Sequence, residues 1–172
     1  MKMISVAVLC LGLLALPLFA KPRARRTGTA SMTDQQFVDL AAQTDMTEAN
    51  LGQLAQDKGN QAVKGFGETL RSDHTNDYNQ LTEAAQKAGL TVPKGIDAAN
   101  DRTIHSLDKL PEATFDRRFA REMVAGHEHD IAIYQREAKY AHDPNIKAYA
   151  QQALPTLQKH LDDARQLEKE RG

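Results

Sequence analysis

Glu48, His74, His127 and His160 are the residues whose types and spacing best suit chemistry in this chain. Three imidazoles and a carboxylate form a donor set that suits Zn, Mn, Fe, Ni or Cu. Each of the four interrupts an apolar stripe of helical period near its middle, so each is expected to face inward. Burying a carboxylate among neutral imidazoles is costly without compensation. Two arrangements supply it. One transition-metal ion can sit among the four side chains, or a closed polar network can form in which Glu48 accepts and the histidines donate.

Further polar residues lie close by. Asp77, Asp130 and Asp163 each follow one of the histidines by three residues and so share its helix face. They are read either as partners that orient the imidazoles or as solvated surface charges. Asp73 and Glu122 are additional oxygen donors, but Asp73 adjoins His74 and is expected to point elsewhere, and Glu122 lies more than a turn from His127. His105, His129 and His142 are expected on the surface.

Four helices must position these groups. Thr33 with Gln36 forms a capping-box pattern, and behind it Phe37, Ala41, Thr44, Glu48, Leu51 and Ala55 make the first stripe. Gly59 and Asn60 are a natural stop and restart. The second stripe runs Val63, Phe66, Leu70, His74, Asp77, Leu81, Ala84 and Ala88, ending at Gly89. A long connection follows, rich in breakers such as Pro93 and Gly95, with a short helix expected near Ala98–Leu107. The third stripe runs from Phe115 through Phe119, Met123, His127, Asp130 and Tyr134 to Ala141. Asp143-Pro144 is a cap followed by proline at the first helical position. The fourth stripe runs from Ile146 through Ala150, Ala153, Leu157 and His160 to Leu167, with a kink expected at Pro155.

Two tight hairpins joined by one long crossover specify an all-α, ferritin-like four-helix bundle. The halves repeat weakly: Ala55, Val63, Lys64 and Phe66 match Ala138, Ile146, Lys147 and Tyr149 at a constant offset. Counted from their shared turn, Glu48 and His74 differ in height by three residues, or ~4.5 Å. His127 and His160 differ by two, or ~3 Å. The four side chains are therefore expected to converge at mid-bundle.

Composition narrows the function. The 172 residues carry a formal charge of −1, which argues against a nucleic-acid binder. Residues 1–20 read as a secretion signal, with an uncleaved membrane anchor as the alternative. Residues 21–32 form a linker, and residues 33–172 the helical domain. The basic run Lys21–Arg26 is read as a solvated linker, with contact to an anionic envelope surface as the other reading. The single cysteine, Cys10, lies in the leader, so the exported chain has no thiol, which fits a periplasmic or otherwise exported location.

Several pieces together resemble a bacterial family known as domain of unknown function 4142. They are Phe37 to Leu54 around Glu48, Arg71-Ser72-Asp73-His74, Phe115-Asp116 leading to Met123-Val124 and His127, and Leu154-Pro155-Thr156-Leu157 with His160-Leu161 and Ala164-Arg165. The family is similar to ferritin-like folds and is often labelled as exported or outer-membrane proteins. The resemblance implies a four-helix domain in the cell envelope and supplies no agreed activity. Gly126 stands where the family usually has an acidic residue before the third-helix histidine.

A di-iron centre is not expected, because Glu-x-x-His is missing: Arg71 precedes His74 by three residues and Leu157 precedes His160. Three functions remain in contention. The first is an envelope protein that sequesters or buffers one metal ion or serves a stress-related role; the second is a metal-free structural or interaction module. The third, an enzyme with an open metal position, has least support, because no nucleophile–base pair, phosphate loop or cofactor fingerprint is present. The protein partner and the oligomeric state are left open.

Overall fold

The computed structural model describes residues 32–171. The expected leader and most of the basic linker lie outside the described residues. Helix α1 (Asp34–Lys58) starts at the expected capping box: Gln36 N–H donates to Thr33 Oγ1, and Thr33 N–H to the Gln36 side chain. It stops at Gly59, where a Cβ would lie 2.4 Å from Val63 Cγ1, so only glycine lets the turn close. Asn60 then caps α2 (Gln61–Lys87) by accepting from the backbone of Ala62 and Val63. Within this hairpin Gly52 and Gly67 face each other, and a Cβ on either would meet the other's carbonyl at 2.6 Å. The two backbones therefore touch one turn from Glu48.

The crossover carries α3 (Ala98–Asp108), capped by Asp97. Gln43 of α1 clamps it by donating to Gly95 O and accepting from Asp97 N–H. Helices α4 (Glu112–Tyr140) and α5 (Pro144–Arg171) form the second hairpin, with Asp143 accepting from Asn145 N–H at 2.7 Å. Helix α5 continues through Pro155.

The result is the expected all-α bundle of two hairpins and one crossover, and no strand occurs among the described residues. α1 packs along α2, α4 along α5, and α2 against α5. The remaining side, between α1 and α4, is more open and is bridged by α3, which touches both. Each hairpin turn is tied by an aspartate from the other hairpin. Asp34 of α1 accepts from His142 and Asp143 N–H, and Asp116 of α4 accepts from Asn60 N–H.

The buried residues form two apolar clusters with a polar layer between them. Toward one end lie Phe37, Leu81, Tyr134, Ile146 and Tyr149. Toward the other lie Phe66, Leu70, Phe115, Phe119 and Met123. The layer between holds Asp45, Glu48, His74, Asp77, His127, Asp130 and His160, all buried. In α1 the inward position expected for Thr44 belongs to Asp45, and Thr44 is only half-buried. No helix among the described residues is long and apolar enough to cross a membrane.

Candidate metal centre

The four residues singled out by spacing meet at the centre of the bundle, one from each long helix. Glu48 Oε2 lies 2.8 Å from His74 Nε2 and 3.2 Å from His127 Nε2. The three rings form a triangle with centroids 5.9, 5.2 and 5.3 Å apart. One nitrogen from each of His74, His127 and His160 lies within 4.8 Å of the other two. That is close to the ~4 Å greatest separation of two nitrogens bound to a common ion at ~2.0–2.1 Å. All three histidines are 0% exposed.

The outer nitrogen of each ring is tied to an acceptor. His74 Nδ1 lies 3.0 Å from Asp45 Oδ1, and His160 Nε2 lies 2.9 Å from Asp73 Oδ2. His127 Nδ1 lies 2.9 Å from the carbonyl of Met123, one turn back on its own helix. A carbonyl only accepts, so His127 Nδ1 carries a hydrogen, and the position that would offer a lone pair to an ion is Nε2. The same assignment at the other two leaves His74 Nε2 and His160 Nδ1 facing inward. These inner atoms are the unsatisfied ones. His74 Nε2, His127 Nε2, His160 Nδ1 and Glu48 Oε2 are all buried without an aligned hydrogen bond. Glu48 approaches both rings as a charge, and at 2.8 Å it is also within hydrogen-bonding reach of a proton on His74 Nε2. Three convergent imidazole nitrogens, each backed by an outer partner that fixes its orientation, with Glu48 Oε2 beside two of them, could hold a metal ion.

The site's electrostatics follow from burial and this geometry. Burial by itself would raise the Glu48 carboxyl, but the charges of His127 and His74 outweigh it and hold the group at about 2. Burial opposes a proton on His74, yet Glu48 and Asp45 on either side of the ring raise it well above the ordinary histidine range. Burial and the charge on His74 lower His160 to about 4, leaving it neutral at neutral pH. Around this core sit acids in poor solvent. Burial raises Asp45 although His74 pulls it down. Burial and then the charge of Asp45 raise Asp77 to about 6, and burial and then the charge of Glu48 raise Asp130 to about 7.

The residues around the four follow the sequence reading unevenly. Asp77 and Asp130 are buried beside the cluster, whereas Asp163 is paired with Lys159 at 2.6 Å on an exposed face. Asp73, expected to point away, does leave its neighbour His74, but it reaches across to His160 of α5. Asp45 was not foreseen. Its signal is its place three residues before Glu48 on the same face. Glu122 pairs with Arg118 at 2.6 Å, and His105, His129 and His142 are exposed as expected.

Fold and site together define a helical-bundle protein with a buried histidine–carboxylate cluster that could hold a metal ion. The chain belongs to the family described as Domain of unknown function (DUF4142), whose profile matches residues 19–167. Comparisons with curated proteins and with solved structures returned no match.

Proposed function

We propose that this is an exported envelope protein that binds a single transition-metal ion through Glu48, His74, His127 and His160, in a sequestering or stress-related role. The observation that carries the reading is the three buried imidazole nitrogens that converge within 4.8 Å of one another, with Glu48 Oε2 beside two of them. A bound ion would supply the positive charge that the Glu48 carboxylate and the inward lone pairs lack. The donor set suits Zn, Mn, Fe, Ni or Cu. Asp45, Asp73 and the Met123 carbonyl hold the three rings in the required orientation. Export rests on the leader-like residues 1–20 and on the absence of cysteine after Cys10.

A second reading is favoured by one contact set, Asp45–His74–Glu48, where a protonated imidazole between two carboxylates closes a charge network without an ion. The protein would then be a metal-free structural or interaction module whose buried polar layer fixes helix register. Elemental mass spectrometry separates the two. Protein purified from the periplasm without an affinity tag is expected to carry about one transition-metal ion per chain, and His74→Ala to lose it. No metal as isolated, and none taken up on titration with Zn, Mn, Fe, Ni or Cu, would defeat the metal reading and leave the module.

A further inference from the structure

The three histidines are sealed, so an ion needs a passage to them. The open side of the bundle offers one. A cavity of about 540 Å³ lies among α1, α3 and α4, and its lining includes Glu48 and Gly126. Glu48 is the wall between this cavity and the cluster. Its Oε2 faces His74 and His127, and its Oε1 lies toward Gly126, where a Cβ would stand 3.6 Å away.

The charge of the cavity is one-sided. Exposed Asp39 and Asp97 and half-buried Glu122 line it, with buried Glu48 and Asp130 deeper. Among the described residues no lysine or arginine lines it, although Arg118 pairs with Glu122, and His129 is the one other titratable group in the lining. Acidity alone would not make a site. One buried atom in the lining residues adds to it: Thr47 Oγ1 lacks a hydrogen-bond partner, and Glu48 forms the wall beside it. Thr47 is 7% exposed and Glu48 5%. A hydroxyl and carboxylates leading inward suit a hydrated divalent cation that sheds water stepwise, oxygen ligand by oxygen ligand.

We propose that this cavity is the entrance for the metal ion, with Thr47, Glu48 and Asp130 as a transit site from which Glu48 passes the cation to the histidines. The proposal rests on the metal reading above. Its acidic rim raises the local cation concentration, and its position fixes which face of the bundle exchanges metal.

The chain contains a matched control. Asp39 and Asp57 are both exposed on α1, each nine residues from Glu48 in opposite directions. Each accepts from a glutamine four residues earlier, Gln35 and Gln53. Asp39 lines the cavity that contains Glu48, whereas Asp57 lines a different surface hollow with Ile104 and Asp108. Stopped-flow uptake of Zn by the metal-free mature chain, read with a chromophoric chelator, tests the passage. At ~10 mM ionic strength Asp39→Lys is expected to slow uptake at least ~threefold more than Asp57→Lys, and the difference should vanish near ~1 M salt. Thr103→Phe, which fills the cavity from α3 without touching a donor, should slow uptake ~tenfold at either salt concentration. Final stoichiometry should be unchanged in all three. Equal rates in Asp39→Lys and Asp57→Lys, or wild-type speed in Thr103→Phe, would overturn the passage while leaving the metal site standing. Failure of the wild type to take up any metal would defeat both.

Discussion

The two ends of the bundle differ in what they ask of their aromatic residues. Toward the α1–α2 turn, Phe66, Phe115 and Phe119 pack ring against ring, with Phe115 and Phe119 stacked at 5.5 Å and Phe66 edge-on to both Phe119 and His160. Toward the α4–α5 turn Phe37 packs against two rings that carry hydroxyls, Tyr134 and Tyr149. Tyr134 and Tyr149 place their oxygens 3.3 Å apart, and Tyr149 reaches Asp45 at 3.4 Å. Phe66 and Tyr149 are partners in the weak internal repeat, so one oxygen atom separates equivalent positions of the two hairpins.

The acids explain the difference. Asp45, Asp77 and Asp130 each lie about one turn from a residue of the cluster, all toward the tyrosine end, because α2 and α4 run that way and Asp45 precedes Glu48 on the oppositely running α1. Asp163 follows His160 on α5, which runs the other way, and it ends in a surface ion pair. A buried carboxylate needs donors. The tyrosine end supplies a hydroxyl to Asp45, whereas the buried acid at the phenylalanine end, Asp116, takes its donors from Asn60. One side of the polar layer is thus an electrostatic device and the other a packed plug.

Five substitutions press on this contrast. Phe119→Ala should cost the most, ~3–5 kcal/mol by chemical denaturation, since it opens a cavity in a fully buried stack. A loss under ~1 kcal/mol would mean the phenylalanine end is not a tight plug. Asp45→Asn should act on the ion rather than the fold. Weakening the acceptor on His74 Nδ1 is expected to lower metal affinity ~10–100-fold, whereas Phe66→Leu at the opposite end should change it less than ~threefold. Equal effects measured by chelator competition would erase the asymmetry.

Asp130→Asn tests the acids through pH. The folded carboxyl titrates at about 7 against an ordinary 3.8, so the metal-free protein binds the Asp130 proton more tightly folded than unfolded. Stability from that proton is full below the unfolded value and is lost as pH rises through about 7. Asparagine removes the loss. The variant should gain up to ~4 kcal/mol on the wild type at pH ~8 relative to pH ~4 in paired urea titrations. A gap independent of pH would show that Asp130 is already solvated through the cavity. Smallest should be Tyr149→Phe, ~1 kcal/mol or less, for one long hydrogen bond to Asp45. A cost matching that of Phe119→Ala would make the hydroxyl pair a structural keystone of its end.

Much of the site was legible because it is written in local periodicity. Glu48, His74, His127 and His160 each break an apolar stripe, and counting residues from two turns levels them, since helix rise is constant. The capping box at Thr33, the restart at Asn60 and the crossover helix after Asp97 are likewise contacts between near neighbours in the chain. Asp45 was hidden because the α1 stripe admits either Thr44 or Asp45, and only the place of α2 decides which faces in. Asp73 was misjudged in the same way: adjacency to His74 excluded a shared target, but gave no view of α5.

The sequence by itself determined the helices, their ends, the two hairpins and the inward direction of Glu48, His74, His127 and His160. These depend on propensity, capping and period, which act over a few residues. Tertiary structure decided which nitrogen of each histidine is held and which is free, which aspartates are buried, and that the α1–α4 side stays open beneath α3. Those outcomes depend on how rigid helices cross, and on distances between residues far apart in the chain that no local pattern encodes.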